Sequence, residues 1–330
     1  MSLHTEIAEL MKTPGFMYDV SEKVQYKQTL NAEEKEAVEV ADAHFKNIGK
    51  TGKDPNNDIA AYIARTVQEK YETQTGMLVD LMFNRGNVGE FDYVEYLKDP
   101  KNTLVAHRAA KGGTVDRSWL DIAMLKGQTT NLQTATDISY IDLRRGGFKT
   151  VALVTTYMAE TLENYMLYDI MEKADAAIVG GEQRIITPAV TQAAIDEFTL
   201  YLLDRGANPT AITQNKYARG LARLTGYKEY MSEAMRNDFN RYGLVNFIDG
   251  LKIASVSGAA VTSKGQKIFP DNRIFGFTGD KIGNLDMRGD VLVYTDFDNF
   301  NEKIVIQTKN FTYDFAITNP ENVAIVEITG

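Results

Sequence analysis

Residues 151–181 read VALVTTYMAETLENYMLYDIMEKADAAIVGG. The stretch opens on β-branched residues and continues without proline or glycine as far as Gly180, which predicts a short strand followed by one long helix. From Tyr157 to Ile178 that helix would be roughly 33 Å long at 1.5 Å rise per residue. Met158, Leu162, Tyr165, Met166, Ile170, Ala174 and Ala177 fall on one face of it. The spacing is not a sustained heptad with charged flanks, so the rod is expected to lie against its own domain rather than in a coiled coil.

Upstream, NAEEKEAVEVADAHFKNI (31–48) reads as a helix capped by Asn31 with Glu34 three residues on. Its inward face is Val38, Ala41, Phe45 and Ile48, and Gly49 is its expected end. A second helical run covers 59–83, with Ile59, Ile63 and Val67 in register and Gly76 as a break. Between 84 and 136 short apolar stretches mix with glycine and charge without steady periodicity. A loop of that length is uncommon unless it has a task, and it reads as a hairpin-like excursion with its tip near 110–130. DISYIDLRRGGFKTVALVTT (137–156) is expected to return as two β-rich segments around Gly146 and Gly147.

Downstream, Pro188 is expected to open a helix carrying Ile195, Phe198, Leu202 and Leu203 and closing at Gly206. NPTAIT (208–213) follows as a loop and a strand. Thr213 is the expected cap of a helix over 214–224 with Tyr217, Leu221 and Leu224 inward, and a third helical run lies near 227–240. The chain then turns to β: GLKIASVSG (250–258), RIFGFTG (273–279), DVLVYTDF (290–297), EKIVIQT (302–308), FTYDFAI (311–317) and NVAIVEI (322–328). Helices and strands without regular alternation indicate an α+β fold.

With 330 residues, 44% of them hydrophobic, and no apolar run of membrane length, the chain reads as soluble and globular. The first residues, MSLHTEIAELMKTPGF, have no basic region leading into an apolar segment, so neither a secretory signal nor a membrane anchor is expected. Absence of cysteine excludes disulfides and thiolate chemistry. A formal charge of −9 argues against a dedicated nucleic-acid binder, which needs clustered lysine and arginine.

Chemical motifs are incomplete wherever they start. His4, His44 and His107 are far apart, with no carboxylate at ligand spacing, and are read as structural. GKT at 49–51 lacks the first glycine of a phosphate loop, whose place His44 takes. DFDNFNE (296–302) has Phe300 at a calcium-ligand position and no turn glycine. SVSG (255–258) lacks the first glycine of a nucleophile elbow, and Asn310-Phe311-Thr312 is a glycosylation sequon by composition only. Glu160 with Glu163, and Asp169 with Glu172, stand at i,i+3 on the long helix without a pocket motif beside them. Trp119 and KGG at 111–113 read as contact residues. No catalytic, cofactor-binding or metal residue is assigned, and the chain is not expected to be an enzyme.

Three stretches, taken in order, carry a family resemblance. FKTVALVTTYMAETLENYMLYDIMEKADAAIVGG (148–181) is a strand, a threonine-bearing turn and a long helix ending in alanines and glycine. NPTAITQNKYARGLARLTGY (208–227) is a short apolar strand, a polar cap and a helix. GLVNFIDGLKIASVSG (243–258), RIFGFTGDKIGNLDMRGDVLVYTDF (273–297) and ENVAIVEITG (321–330) form a strand-rich ending. This order resembles the major capsid proteins of tailed bacteriophages with the Hong Kong 97-like fold, over roughly residues 30–330.

The resemblance implies an N-terminal arm at 1–55, a peripheral domain at 56–83 and 137–185 built on the long spine helix, and an extended loop at 84–136. It further implies an apical domain at 186–300 and return strands to the peripheral domain at 301–330. The implied role is structural: a subunit self-assembling as hexamers and pentamers into the icosahedral virion shell around double-stranded DNA, without sequence-specific binding, in a bacterial host cytoplasm. Implied partners are a portal, a separate scaffolding protein, because an arm-like helix follows Met1 within about thirty residues, and a decoration protein. The family's lysine-to-asparagine crosslink finds no partnered set here, and neither Lys111 nor Lys126 is assigned to one. Encapsulin shells, which enclose a cargo enzyme, share the fold and are the alternative; a soluble α+β enzyme is the third reading. In the capsid reading, the acidic balance predicts an inner surface on which packaged DNA slides rather than sticks.

Overall fold

The computed structural model describes residues 16–54, 57–74, 77–98, 104, 123–178, 180–221, 223–224, 247–248, 250–256 and 265–329. In chain order the helices α1 (Phe16–Gln25), α2 (Ala32–Thr51), α3 (Asp58–Gln74) and α4 (Met77–Met82) lead into strands β1 (Phe83–Val88), β2 (Glu95–Leu97), β3 (Met124–Lys126) and β4 (Gln128–Ser139). A short helix α5 (Tyr140–Gly146) precedes the long helix α6 (Phe148–Ala177). Then come β5 (Arg184–Thr187), α7 (Gln192–Leu203), β6 (Thr210–Gln214), α8 (Asn215–Leu221), β7 (Phe247–Ile248) and β8 (Leu251–Val256). The chain closes with β9 (Arg273–Phe277), β10 (Gly283–Arg288), β11 (Leu292–Asp298), β12 (Lys303–Ile317) and β13 (Val323–Ile328). The expected helix near 227–240 lies outside the described residues, as does Gly76.

Local signals account for several boundaries. At α2 the Asn31 side chain accepts from the Glu34 N–H at 2.7 Å, and the Glu34 carboxylate accepts from the Asn31 N–H at 2.9 Å, a complete capping box. Gly49 does not end this helix; it continues to Thr51, and Gly52 closes it in the left-handed region at φ +64°. Gly49 instead allows close approach of α5, since a Cβ there would stand 2.9 Å from the Arg144 backbone nitrogen. Pro188 does not open α7, whose cap is Thr191, accepting from the Ala194 N–H. Thr213 caps nothing: it lies inside β6 and its hydroxyl donates to the Arg273 carbonyl at 3.2 Å.

The largest correction concerns residues 137–156. They are not two β segments around Gly146 and Gly147. The first part finishes β4, Ser139 caps α5, and α6 begins at Phe148, nine residues before the expected Tyr157. At 30 residues α6 is about 45 Å long. Burial overrides the strand preference of VALVTT: Val151, Ala152, Thr155 and Thr156 all face the core. The two threonine hydroxyls are satisfied along the helix, donating to the carbonyls of Val151 at 2.8 Å and Ala152 at 2.9 Å.

Gly147 makes the sharp α5–α6 junction. Its backbone sits at φ +49°, ψ −127°, and a Cβ would fall 2.1 Å from Asp42 Oδ1, the atom that accepts from the Phe148 N–H at 3.2 Å. Asp42 of α2 therefore caps α6 from another helix. Gly147→Ala is expected to cost about 1–3 kcal/mol, through backbone strain and displacement of that cap, read as a lower denaturation midpoint with unchanged helix content.

Among the described residues two main sheets form. In the first, β4 runs antiparallel along one edge of β12 from Gln128 opposite Phe315 to Ser139 opposite Lys303. The other edge of β12 is shared end to end: β11 takes Lys303 to Lys309, and β10 takes Thr312 to Ile317, with β1 parallel to β10 outside it. The register shifts between Thr308 and Phe311, where Asn310 adopts φ +65°, a one-residue bulge. Past the bulge, the α6 side of the sheet carries Tyr313, whose hydroxyl donates to Asp169 of α6 at 2.9 Å, and Phe315, which lies under the Lys173 ammonium at 4.6 Å.

The second sheet has the order β5-β13-β9-β6-β8-β7. Its central strands β13, β9 and β6 are buried on both faces, and the two-residue period sends alternate side chains into different cores. Ile212, Ala254, Phe275, Phe277, Val323 and Ile325 join the large core that contains α6. Ala211, Ile253, Ile274, Ala324 and Val326 join the smaller one with Phe198 and Leu202 of α7.

Sheet membership runs across the expected segments. The chain leaves the second sheet after Phe277, builds β10, β11 and β12 in the first, and re-enters the second at Val323. Residues 283–298 thus lie in the sheet beside the long helix rather than with 186–277. The 301–330 ending is split, because β12 pairs with β4 while β13 pairs with β5 and β9. Likewise, within the expected 84–136 segment, β1 and β4 place 84–88 and 128–136 in the first sheet.

Candidate functional site

The excursion has a built root. Residues 89–98 and 123–127 leave the first sheet and pair as β2 against β3, with Glu95 opposite Lys126 and Leu97 opposite Met124. The Lys98 N–H extends the ladder to the Ala123 carbonyl at 2.9 Å. Tyr96 turns back over the sheet, and its hydroxyl donates to Asp286 Oδ2 at 2.5 Å. Burial, then the Asp286 carboxylate, push the Tyr96 phenol well above its usual range. Gly127 leaves room for this ring: a Cβ would stand 2.8 Å from Tyr96 Cε2 and 3.3 Å from Asp314 Cβ.

Asp286 and Asp314 are directly opposite in the β10–β12 register, so two carboxylates share the face beneath Tyr96. The compensating charge is Arg288. Its Nε donates to Asp314 Oδ2 at 3.0 Å and its Nη2 to the same oxygen, while Nη1 donates to the carbonyls of Glu90 at 3.0 Å and Asp92 at 2.7 Å. The Asp314 side chain is only 1% exposed, which makes this a buried ion pair. The start of the excursion is held further by the Gly89 N–H on Asp92 Oδ2 at 2.9 Å and the Gly289 N–H on the Val88 carbonyl at 2.9 Å. From this fixed base Phe91, 92% exposed, and Tyr93, Leu97 and Met124 stand out into solvent.

The long helix is fastened by its carboxylates. Glu163 meets Lys70 at 2.7 Å, Glu160 accepts from the Tyr26 hydroxyl at 3.1 Å, and Asp169 accepts from Tyr313 and from Lys173 at 2.8 Å. Burial and then Asp169 raise the Tyr313 phenol above its usual range. At the end of α6 a four-charge cluster joins the helix to the second sheet. Arg184 bonds Asp175 and reaches Glu327 at 3.1 Å; Arg273 reaches Glu327 at 3.0 Å and Asp175 at 3.5 Å.

His44 meets Asp58 at 2.8 Å between α2 and α3, whereas His4, His107, Trp119, Lys111 and the KGG at 111–113 lie outside the described residues. Lys126 ends β3 with its ammonium 5.7 Å from the Tyr93 ring centre. Gly49 to Thr51 are the last turn of α2, and 296–302 is the end of β11 with the turn into β12. There Asp298 is held below the usual carboxylate range, first by the Asn301 side chain and then by its backbone N–H. Among the described residues no group of three or more histidine, cysteine, aspartate or glutamate side chains is placed to hold a metal ion. No described helix is long and apolar enough to cross a membrane. Arg288, Asp314 and Tyr96 were not singled out by sequence reasoning. The available signal was Asp314 itself, a charge inside the otherwise buried strand FTYDFAI that required a cationic partner.

No family model and no curated protein matches the sequence. Solved structures do match the fold. One from Gordonia phage Cozz superposes with a TM-score of 0.54 at 11% identity, covering 77% of this chain and 86% of its own. The bacteriophage PhiM1 mature capsid gives 0.52 at 14% identity, covering 75% and 86%. The cyanophage P-SCSP1u capsid gives 0.52 at 10% identity, covering 78% and 89%. The mixed helices and sheets of this chain, superposing on these structures over about three quarters of its length, give it the Hong Kong 97-like capsid fold.

Proposed function

We propose that this protein is the major capsid subunit of a tailed phage, self-assembling into hexamers and pentamers of an icosahedral head around double-stranded DNA. The observation that carries this reading is the excursion: a locked root that presents Phe91, Tyr93, Leu97 and Met124 away from the subunit's own cores, on a fold shared with phage capsids. In this reading α6 is the spine and forms the peripheral domain with the first sheet. The second sheet, with α7 and α8, is the apical domain, 89–127 is the extended loop, and the residues before α3 are the N-terminal arm.

Assembly, not catalysis, is then the mechanism. Each copy offers one surface to the copy ahead and another to the copy behind, and such heterologous contacts close into rings when the rotation permits. Many modest contacts make a shell stable while each stays weak enough to be corrected. A portal, a separate scaffolding protein and a decoration protein complete the proposed partners. The net charge of −9 suits a wall along which DNA moves without binding.

Cryo-electron microscopy of the full chain in its native particle fraction tests the reading. Icosahedral shells with layered DNA and one distinct portal vertex are expected. Small DNA-free shells filled with protein would instead mean an encapsulin, and dispersed monomers would overturn both.

A further inference from the structure

The turn between β11 and β12 presents one exposed aromatic residue on a hydrogen-bonded backbone. Phe300 is 95% exposed. Asp298 Oδ1 accepts from the N–H groups of Phe300 and Asn301, both at 3.1 Å, and the Asn301 amide donates to Asp298 Oδ2 at 2.6 Å. Glu302 takes φ +50°, and the Tyr140 hydroxyl donates to Asn299 at 2.8 Å. A tip ordered in advance loses little freedom when it docks.

At the opposite end of the same strand is a cavity of about 410 Å³, whose walls include Leu125, Lys126, Lys173, Ala177, Phe315 and Ile317. It opens where β4 stops pairing at Phe315, so β12 residues beyond that point have no strand on this edge among the described residues. From Lys303 to Phe315 the strand spans about 40 Å at roughly 3.3 Å per residue. The tip of a molecule therefore cannot reach its own cavity. Charge also bears on the fit: Asp298 and Glu302, the latter 3.6 Å from Arg144, flank the aromatic tip, while Lys126 and Lys173, the latter bonded to Asp169 at 2.8 Å, stand at the cavity.

We propose that the Phe300 tip of one copy seats in this cavity of the next, a head-to-tail contact that orders neighbouring subunits. The inference rests on the shell reading above and names one of its contacts. Phe300 would enter beside Phe315, with the acidic turn meeting the two lysines.

The cysteine-free chain makes the test clean. Full-length protein carrying both Phe300→Cys and Gln128→Cys, the latter exposed at the cavity wall, is oxidised and run on a denaturing gel beside electron micrographs of the same sample. A ladder of linked oligomers is expected, with a single dimer band from a mixture of the two single variants and none from either alone. Phe300→Ala is expected to raise the concentration needed for self-association about tenfold or more. Shells without a ladder would overturn the contact and leave the shell reading standing. Dimers from Phe300→Cys alone would overturn the contact by placing two tips together. Monomers without ladder or shells would sink both, and a ladder without shells would sustain the contact against the shell reading.

Discussion

Replacing Arg288 by methionine is expected to destabilise the protein by about 3–5 kcal/mol, because it leaves Asp314 charged and buried without a partner. The same change releases the carbonyls of Glu90 and Asp92, so the excursion loses its anchor on the sheet. Chemical denaturation measures the first effect, and the yield of assembled particles the second. A double variant, Arg288→Met with Asp314→Leu, separates them. Removing both charges is expected to restore most of the folding stability without restoring the two bonds to the excursion. Stability within 1 kcal/mol of the parent in Arg288→Met alone would show that the pair is not the anchor described.

Gly283→Ala is the second large effect. Gly283 stands in β10 opposite Ile317 of β12 and beside Phe83 of β1, and a Cβ there would lie 1.9 Å from the Ala316 carbonyl oxygen. Backbone held by ladders on both sides cannot step aside as a side-chain tip can. The strands must part, at an expected cost of about 3 kcal/mol. Gly220→Ala supplies the contrast. That residue is helical, with nothing within 4 Å of its added carbon, so the substitution is expected to add about 0.5–1 kcal/mol. Thermal unfolding of the two variants should therefore shift in opposite directions.

What could be read from the sequence was what its neighbours in the chain decide. The Asn31–Glu34 box declared the start of α2, and the run from Tyr157 onward declared the long helix, because both depend on residues three or four apart. The order of elements was enough to point to the fold. Residues 148–156 misled because valine and threonine favour strands until a core covers them, and the cap that starts the helix, Asp42, is 106 residues away. GNLDMR at 283–288 was missed as a strand since its buried positions alternate with polar ones whose partners lie elsewhere. The excursion's root was illegible for the same reason: Tyr96 and its acceptor Asp286 are separated by 190 residues. Local rules do not reach that far.

The end-to-end sharing of β12 has a mechanical consequence. The excursion's returning limb passes through Gly127 straight into β4, which is bonded to β12 from Gln128 to Ser139. In the proposed shell, a neighbour hauling on that limb would pull along the strand axis, so the load would fall on many crosswise hydrogen bonds at once instead of peeling them one by one. On the far edge β10 and β11 grip successive lengths of the same strand, and α6 lies beside it. Tension entering at the excursion is thereby spread through the body of the subunit, the behaviour of a lap joint rather than a zip.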